Sequence, residues 1–159
     1  MGFLRGSAED RCRPLAGLPP RLFAGYFFLK YGLEKVTDGF DGDLLRTQLA
    51  GWMAESRYEF YVPFLEHVVT PFAGVFAFLV MWGEVLIGLM LLLGLAARAA
   101  ALAGLLLCAN FLLATGTPLI SDEEPVYFAV MLATVYLTAA GRALGLDFLL
   151  RKVLPRWAT

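Results

Sequence analysis

His67 to Ser121 reads HVVTPFAGVFAFLVMWGEVLIGLMLLLGLAARAAALAGLLLCANFLLATGTPLIS and carries two formal charges, Glu84 and Arg98. Ala99–Ser121 is 23 residues without a charge; Val85–Ala97 adds 13 and His67–Gly83 adds 17, parted only by Glu84. A helix crosses hydrocarbon with about 20 mostly apolar residues. The stretch therefore predicts two spans folded back on each other at Gly94-Leu95-Ala96-Ala97-Arg98, an antiparallel hairpin with a short link. Further out lie a 17-residue run, Pro125–Gly141, and a weaker one, Leu22–Leu33, interrupted by Lys30. The fold class expected is all-α, an integral membrane four-helix bundle. Its spans fall at about 20–36, 71–95, 97–116 and 124–141, within a transmembrane domain at 21–141. Segment 1–20 precedes the first span, an outer loop occupies 37–70, and an amphipathic tail follows at 142–159.

Composition agrees. Of 159 residues, 59% are apolar and 17% charged, with a mean hydropathy of +0.68, against about 45–50% and about 25% in soluble domains. A single core of this size cannot hide that excess, so the lipid bilayer is an expected partner. A net charge of −1 speaks against nucleic acid as a partner. Cys12 and Cys108 are far apart and His67 is the only histidine, so no metal-ligand spacing occurs and no metal site is expected. Met1–Pro20 is charged throughout and reads as no cleavable signal.

Basic residues orient the chain. Arg5, Arg11, Arg13, Arg21, Arg98, Arg142, Arg151, Lys152 and Arg156 fall on one side; Lys35, Arg46 and Arg57 fall on the other, with Asp122, Glu123 and Glu124. Both termini are expected in the cytoplasm. In the outer loop, Leu45, Leu49, Trp52 and Met53 share one helical face and predict an interfacial helix over Asp43–Glu55. Tyr58, Phe60, Tyr61 and Phe64 read as an interfacial aromatic belt, or as the lid of a pocket for a ring-bearing lipid. Asp38, Asp41 and Asp43 miss the calcium-loop spacing and suit turns and caps. Ser121-Asp122-Glu123-Glu124-Pro125 opens the fourth span with a capping serine, acids and a first-turn proline. The tail, from Leu146 to Trp157, reads as a surface helix with Asp147 capping its start.

Glu84 is the candidate catalytic residue. It lies 13 residues after Pro71 and 14 before Arg98, about 20 Å from either end of its helix. An acid at that depth costs about 2.5–3.5 kcal/mol on insertion scales and must face the bundle interior. Ala77, Met81, Glu84, Gly88 and Leu91 form one stripe, and Arg21, Gly25, Phe28, Gly32 and Lys35 form its counterpart on the first span. Were the stripes to meet, a base would reach the acid. Lys30 lies on the opposite face, four residues before Glu34. Asn110 and Tyr136 are the neutral groups expected to converge on Glu84, completing a buried polar network with Arg21, Lys35 and Arg98. That network reads either as a proton or quinone-headgroup site or as a hydrogen-bonded knot fixing helix packing. The cofactor-binding residues stay open.

The chain resembles the DoxX family of bacterial four-helix membrane proteins. The resemblance rests on Arg21, Gly32-Leu33-Glu34-Lys35, the block Gly83–Gly88 continuing through Leu93–Ala100, and Gly145-Leu146-Asp147, covering about 21–147. It implies a multipass protein of the bacterial cytoplasmic (inner) membrane, with Arg21, Lys35, Glu84 and Arg98 carried over by position. Relatives include the DoxD-type subunit of thiosulfate:quinone oxidoreductase. The paired cysteines of vitamin K epoxide reductase are missing here. The function expected is therefore a membrane subunit of a quinone-linked redox complex, with quinone as the cofactor and other membrane or redox subunits as partners. It would be at most an oxidoreductase subunit without its own metal or flavin centre. The alternatives are a non-catalytic assembly or scaffolding subunit and, ranked last, a small-molecule channel or transporter. Glycine- and alanine-rich stripes also permit a homo-oligomer.

Overall fold

The computed structural model describes residues 15–118, 120–121 and 123–150, and every regular element among them is helical. The helices are α1 (Leu18–Thr37), α2 (Gly42–Ala54), α3 (Ala73–Leu93), α4 (Ala97–Thr115), α5 (Glu124–Thr138) and the short α6 (Leu146–Leu150). Between α2 and α3 runs a connector of a 3-10 turn (Glu59–Tyr61), one α-turn (Val62–Phe64) and a π turn (Leu65–Val69). In the π turn, the Thr70 N–H and hydroxyl both donate to the Leu65 carbonyl. Residues 1–14 and 151–159, which hold Cys12 and most of the basic tail, lie outside the described residues.

Local chemistry sets most helix ends. Pro19 and Pro20 sit in the first turn of α1, where a missing N–H costs nothing. Asp41 caps α2, its carboxylate accepting from the N–H groups of Asp43 and Leu44. α3 and α4 each stop at a left-handed glycine, Gly94 (φ 61°) and Gly116 (φ 73°). α5 is three residues shorter than expected. Ala139 turns left-handed (φ 51°) and a 3-10 turn over Ala140–Arg142 follows. Its first turn holds Pro125 as expected, but Ser121 is not the cap. The N-cap is Glu123, without a side-chain bond, and the Ser121 hydroxyl donates back to the Pro118 carbonyl.

The most extensive helix pairs are α1 with α3 and α4 with α5. Their shared core is built from small and aliphatic residues: Ala24, Phe28, Leu91, Ala100, Ala101, Leu132 and Val135. α1 comes unusually close to α3. A β-carbon on Gly88 would collide with the Leu29 backbone nitrogen, and one on Gly32 would lie 2.7 Å from the Val85 nitrogen. The two stripes read from the sequence thus meet, with backbone against backbone. α2 is tethered rather than free: Leu45 and Leu49 bury into a second cluster with Leu65, Val69, Ala73, Ala77 and Ala114.

α3 and α4 are long and apolar enough to cross a membrane; α5 is apolar but only 15 residues long. In the most apolar stretches of α3 and α4, 33% and 39% of residues are buried inside the protein, whereas a soluble core helix would be mostly covered. Phe78, Trp82 and Leu86 on α3, Leu106 on α4, and Val130 and Leu137 on α5 point outward. So broad an apolar exterior is what a lipid-facing surface requires.

Gly88→Ala is expected to lower stability in detergent by about 1–3 kcal/mol through overpacking. Gly83→Ala, on the same helix with open space at its β-carbon, should be neutral or slightly stabilising, since alanine is the better helix former. Thermal unfolding of the two variants side by side checks this; equal melting points would contradict the close approach.

Candidate functional site

The α1–α3 contact places Lys35 over Glu84. The Lys35 ammonium donates to Glu84 Oε2 at 2.6 Å; the acid's side chain is 7% exposed and the lysine's 26%. Lys35 is in the last turn of α1 and Glu84 is halfway along α3. The ammonium therefore reaches inward from one end of the bundle to neutralise the buried carboxylate. Lys30 instead pairs with Glu34 at 3.6 Å, on the exposed face.

The ion pair forms one wall of a cavity of about 260 Å³ between α1, α3, α4 and α5. Phe28, Tyr31, Phe111 and Phe128 supply aromatic walls, Cys108 lies on the α4 side, and Glu124 and Pro125 lie at the start of α5. The rings brace one another: Phe28 and Tyr31 each meet Phe128 edge to face, with centroids 5.6 and 6.3 Å apart. The Tyr31 hydroxyl donates to both oxygens of the exposed Glu124 carboxylate at 3.2 Å. The result is an aromatic-walled space with a cation and an acid at one side and a phenol–carboxylate pair at another.

The other predicted polar residues lie elsewhere. Asn110 is two residues past Cys108, about 200° around α4, and is exposed on a different face. Its side-chain oxygen accepts from the Tyr61 hydroxyl at 2.5 Å and its amide donates to the Leu106 carbonyl. Burial pushes the Tyr61 phenol above its ordinary pKa. Tyr136 is twelve residues past Glu124, about 18 Å along the helix axis, and does not line the cavity beside Glu84. Arg98 covers the Tyr136 ring at 5.0 Å and donates to its carbonyl. The aromatic connector does not lid the Lys35–Glu84 cavity. Tyr61 and Phe64 instead line a second cavity of about 260 Å³ beneath α2, with Leu49, Phe76, Val80, Leu107, Asn110 and Ala114. His67 is exposed, 4.0 Å from Glu66.

At the hairpin end, Arg21 and Asp147 build a site of their own. Arg21 is 1% exposed and donates to the carbonyls of Ala140 and Ala143 at 2.7 and 2.9 Å. Asp147 is fully buried, but it does not cap its own helix. Its carboxylate accepts from the N–H groups of Ala96 and Ala97 at 2.6 and 3.0 Å, capping α4, while its own N–H donates to the Gly94 carbonyl. Burial pushes the Asp147 carboxyl upward, against the pull of those N–H donors and of Arg21 and Arg142. Ala96, Ala139 and Leu144 all have positive φ around this knot, strain that its hydrogen bonds hold in place. The signal for it lay in Gly145-Leu146-Asp147 together with an α4 start, at Ala96, that has no capping side chain of its own.

A helical bundle with an apolar exterior, two helices fit to cross a membrane and an ion pair inside defines a helical membrane protein. The DoxX family matches residues 17–117, well over half of the chain, and the chain belongs to that family. DoxX proteins are membrane proteins, often linked to quinone-related redox chemistry. No curated protein and no solved structure matches the chain. Arg21, Lys35, Glu84, Arg98 and Asn110 fall inside the matched residues; Tyr136 and Asp147 fall beyond them.

Lys35→Met strands a buried carboxylate and should cost about 3–5 kcal/mol, whereas Lys35→Met with Glu84→Gln should recover most of that loss. Denaturant unfolding in detergent measures both; equal losses would show that the residues are uncoupled. Asp147→Ala should cost about 0.5–2 kcal/mol as a lost cap. Asp147→Asn should keep one of the two bonds, since its amide oxygen still accepts while its NH2 cannot. Amide hydrogen exchange should rise at Ala96 and Ala97 in Asp147→Ala, and unchanged protection there would contradict the cap.

Proposed function

We propose that the chain is a four-span subunit of a quinone-linked redox complex in the bacterial cytoplasmic membrane, with both termini in the cytoplasm. In this reading α1, α3, α4 and α5 cross the bilayer, and α2 with its aromatic connector lies at the outer surface. The quinone ring occupies the cavity beside Lys35 and Glu84. The observation that carries the reading is the ion pair itself: a 2.6 Å contact set into the wall of an aromatic-lined cavity instead of being sealed in packing.

The residues present fit a ring with carbonyl oxygens. Phe28, Phe111 and Phe128 offer flat apolar contact, and Lys35 can donate to a carbonyl while holding Glu84. A carboxylate beside an ammonium changes its hold on a proton when the charge next to it changes, so Glu84 is the group placed to keep or release one. Electron-transfer centres belong to a partner subunit, which this chain anchors.

Two measurements test the reading. A tail-less benzoquinone should bind the purified protein, and Phe128→Ala should weaken binding about tenfold, the loss of roughly 1.4 kcal/mol of ring contact. In native membranes Glu84→Gln should assemble as wild type yet lower quinone-linked turnover. Equal turnover with equal assembly would overturn the proposal in favour of a scaffolding subunit.

A further inference from the structure

The Lys35–Glu84 cavity and the cavity beneath α2 have one lining residue in common, Phe111. They are neighbours on both helices that separate them. On α3, Val80 lines one and Glu84, a turn later, lines the other; on α4, Leu107 and Cys108 divide in the same way. The cavities differ in chemistry. The first holds a cation and two acids, whereas among the described residues the second is lined by no charged side chain, and Tyr61 and Asn110, which line it, bond to each other. Each, at about 260 Å³, falls short of the roughly 300–1,000 Å³ of ordinary ligand pockets; joined, they come within it.

From this we infer that the ligand is a ring bearing a long apolar chain. The ring lies beside Lys35 and Glu84, the chain lies in the cavity beneath α2, and the Phe111 ring is the partition that turns aside to join them. A charged tail is disfavoured, because among the described residues no side chain lining the second cavity could compensate a charge. The Phe111 side chain is half-buried and moves between staggered χ1 wells without disturbing the α4 backbone. This inference rests on the ring-ligand reading above and extends it to the ligand's second half.

The test compares a tail-less benzoquinone with the same ring carrying a ten-carbon chain, each titrated into the full chain in mild detergent. Wild type should bind the chain-bearing ring at least tenfold more tightly. Val80→Phe, which fills the second cavity from α3, should erase that difference while leaving the tail-less affinity unchanged. Leu79→Trp, at a more exposed position of the same lining, should act likewise and serves if Val80→Phe folds poorly. Detergent partitioning of the chain is common to all three proteins and cancels in the comparison. If both ligands bind wild type but the variants leave their ratio unchanged, the inference is wrong and the ring reading stands. If neither ligand binds wild type, both fall.

Discussion

A single carboxylate placed halfway along an apolar helix governs this structure. Glu84 is 5% exposed and would be untenable without a partner. The partner is Lys35, on a helix 49 residues earlier in the chain. For the ammonium to come within 2.6 Å, α1 has to lie almost against the α3 backbone. That demand explains why Gly32 and Gly88 stand where any side chain would collide. The ion pair and the glycine contacts are one device: the glycines bring the helices together, and the charge pair fixes their register.

The opposite end of the bundle is held by a second, independent device. Arg21 and Asp147 gather the start of α1, the α3–α4 link and the segment after α5 through main-chain hydrogen bonds. Neither side chain approaches the other as an ion pair. Each satisfies backbone groups that tight turns leave open, the N–H groups at the start of α4 and the carbonyls after α5. One end of the bundle is clamped in this way. Both cavities lie toward the other end.

Much of this was legible in the residues. The uncharged runs around Glu84 located α3 and α4 to within two residues. The spacing of Gly25, Gly32 and Lys35 against Glu84 and Gly88 anticipated the α1–α3 contact, because small residues and charges at helical period leave few alternatives. What the residues did not disclose was long-range. Asp147 looked like the cap of the helix it begins, since local capping is the commoner arrangement; in the fold it reaches back about fifty positions to cap α4. By type Asn110 and Tyr136 suit a network with Glu84, because polar groups in apolar helices seek partners. Each found one closer to hand, Tyr61 and Arg98. The choice depended on how the helices rotate against one another, which periodicity alone leaves undetermined. The cavity beside Lys35 and Glu84 has no signature in sequence, since it exists only where four helices fail to close; of the second, only the aromatic cluster around Tyr61 and Phe64 gave a sign.

A structure determined in lipid nanodiscs with a chain-bearing benzoquinone present tests the central claim most directly. The account predicts α3 crossing the hydrocarbon with Glu84 inside the bundle, its carboxylate still engaged by Lys35, and the ring seated between Phe28, Phe111 and Phe128. Glu84 facing lipid or water, or the ring bound away from the Lys35–Glu84 pair, would contradict it.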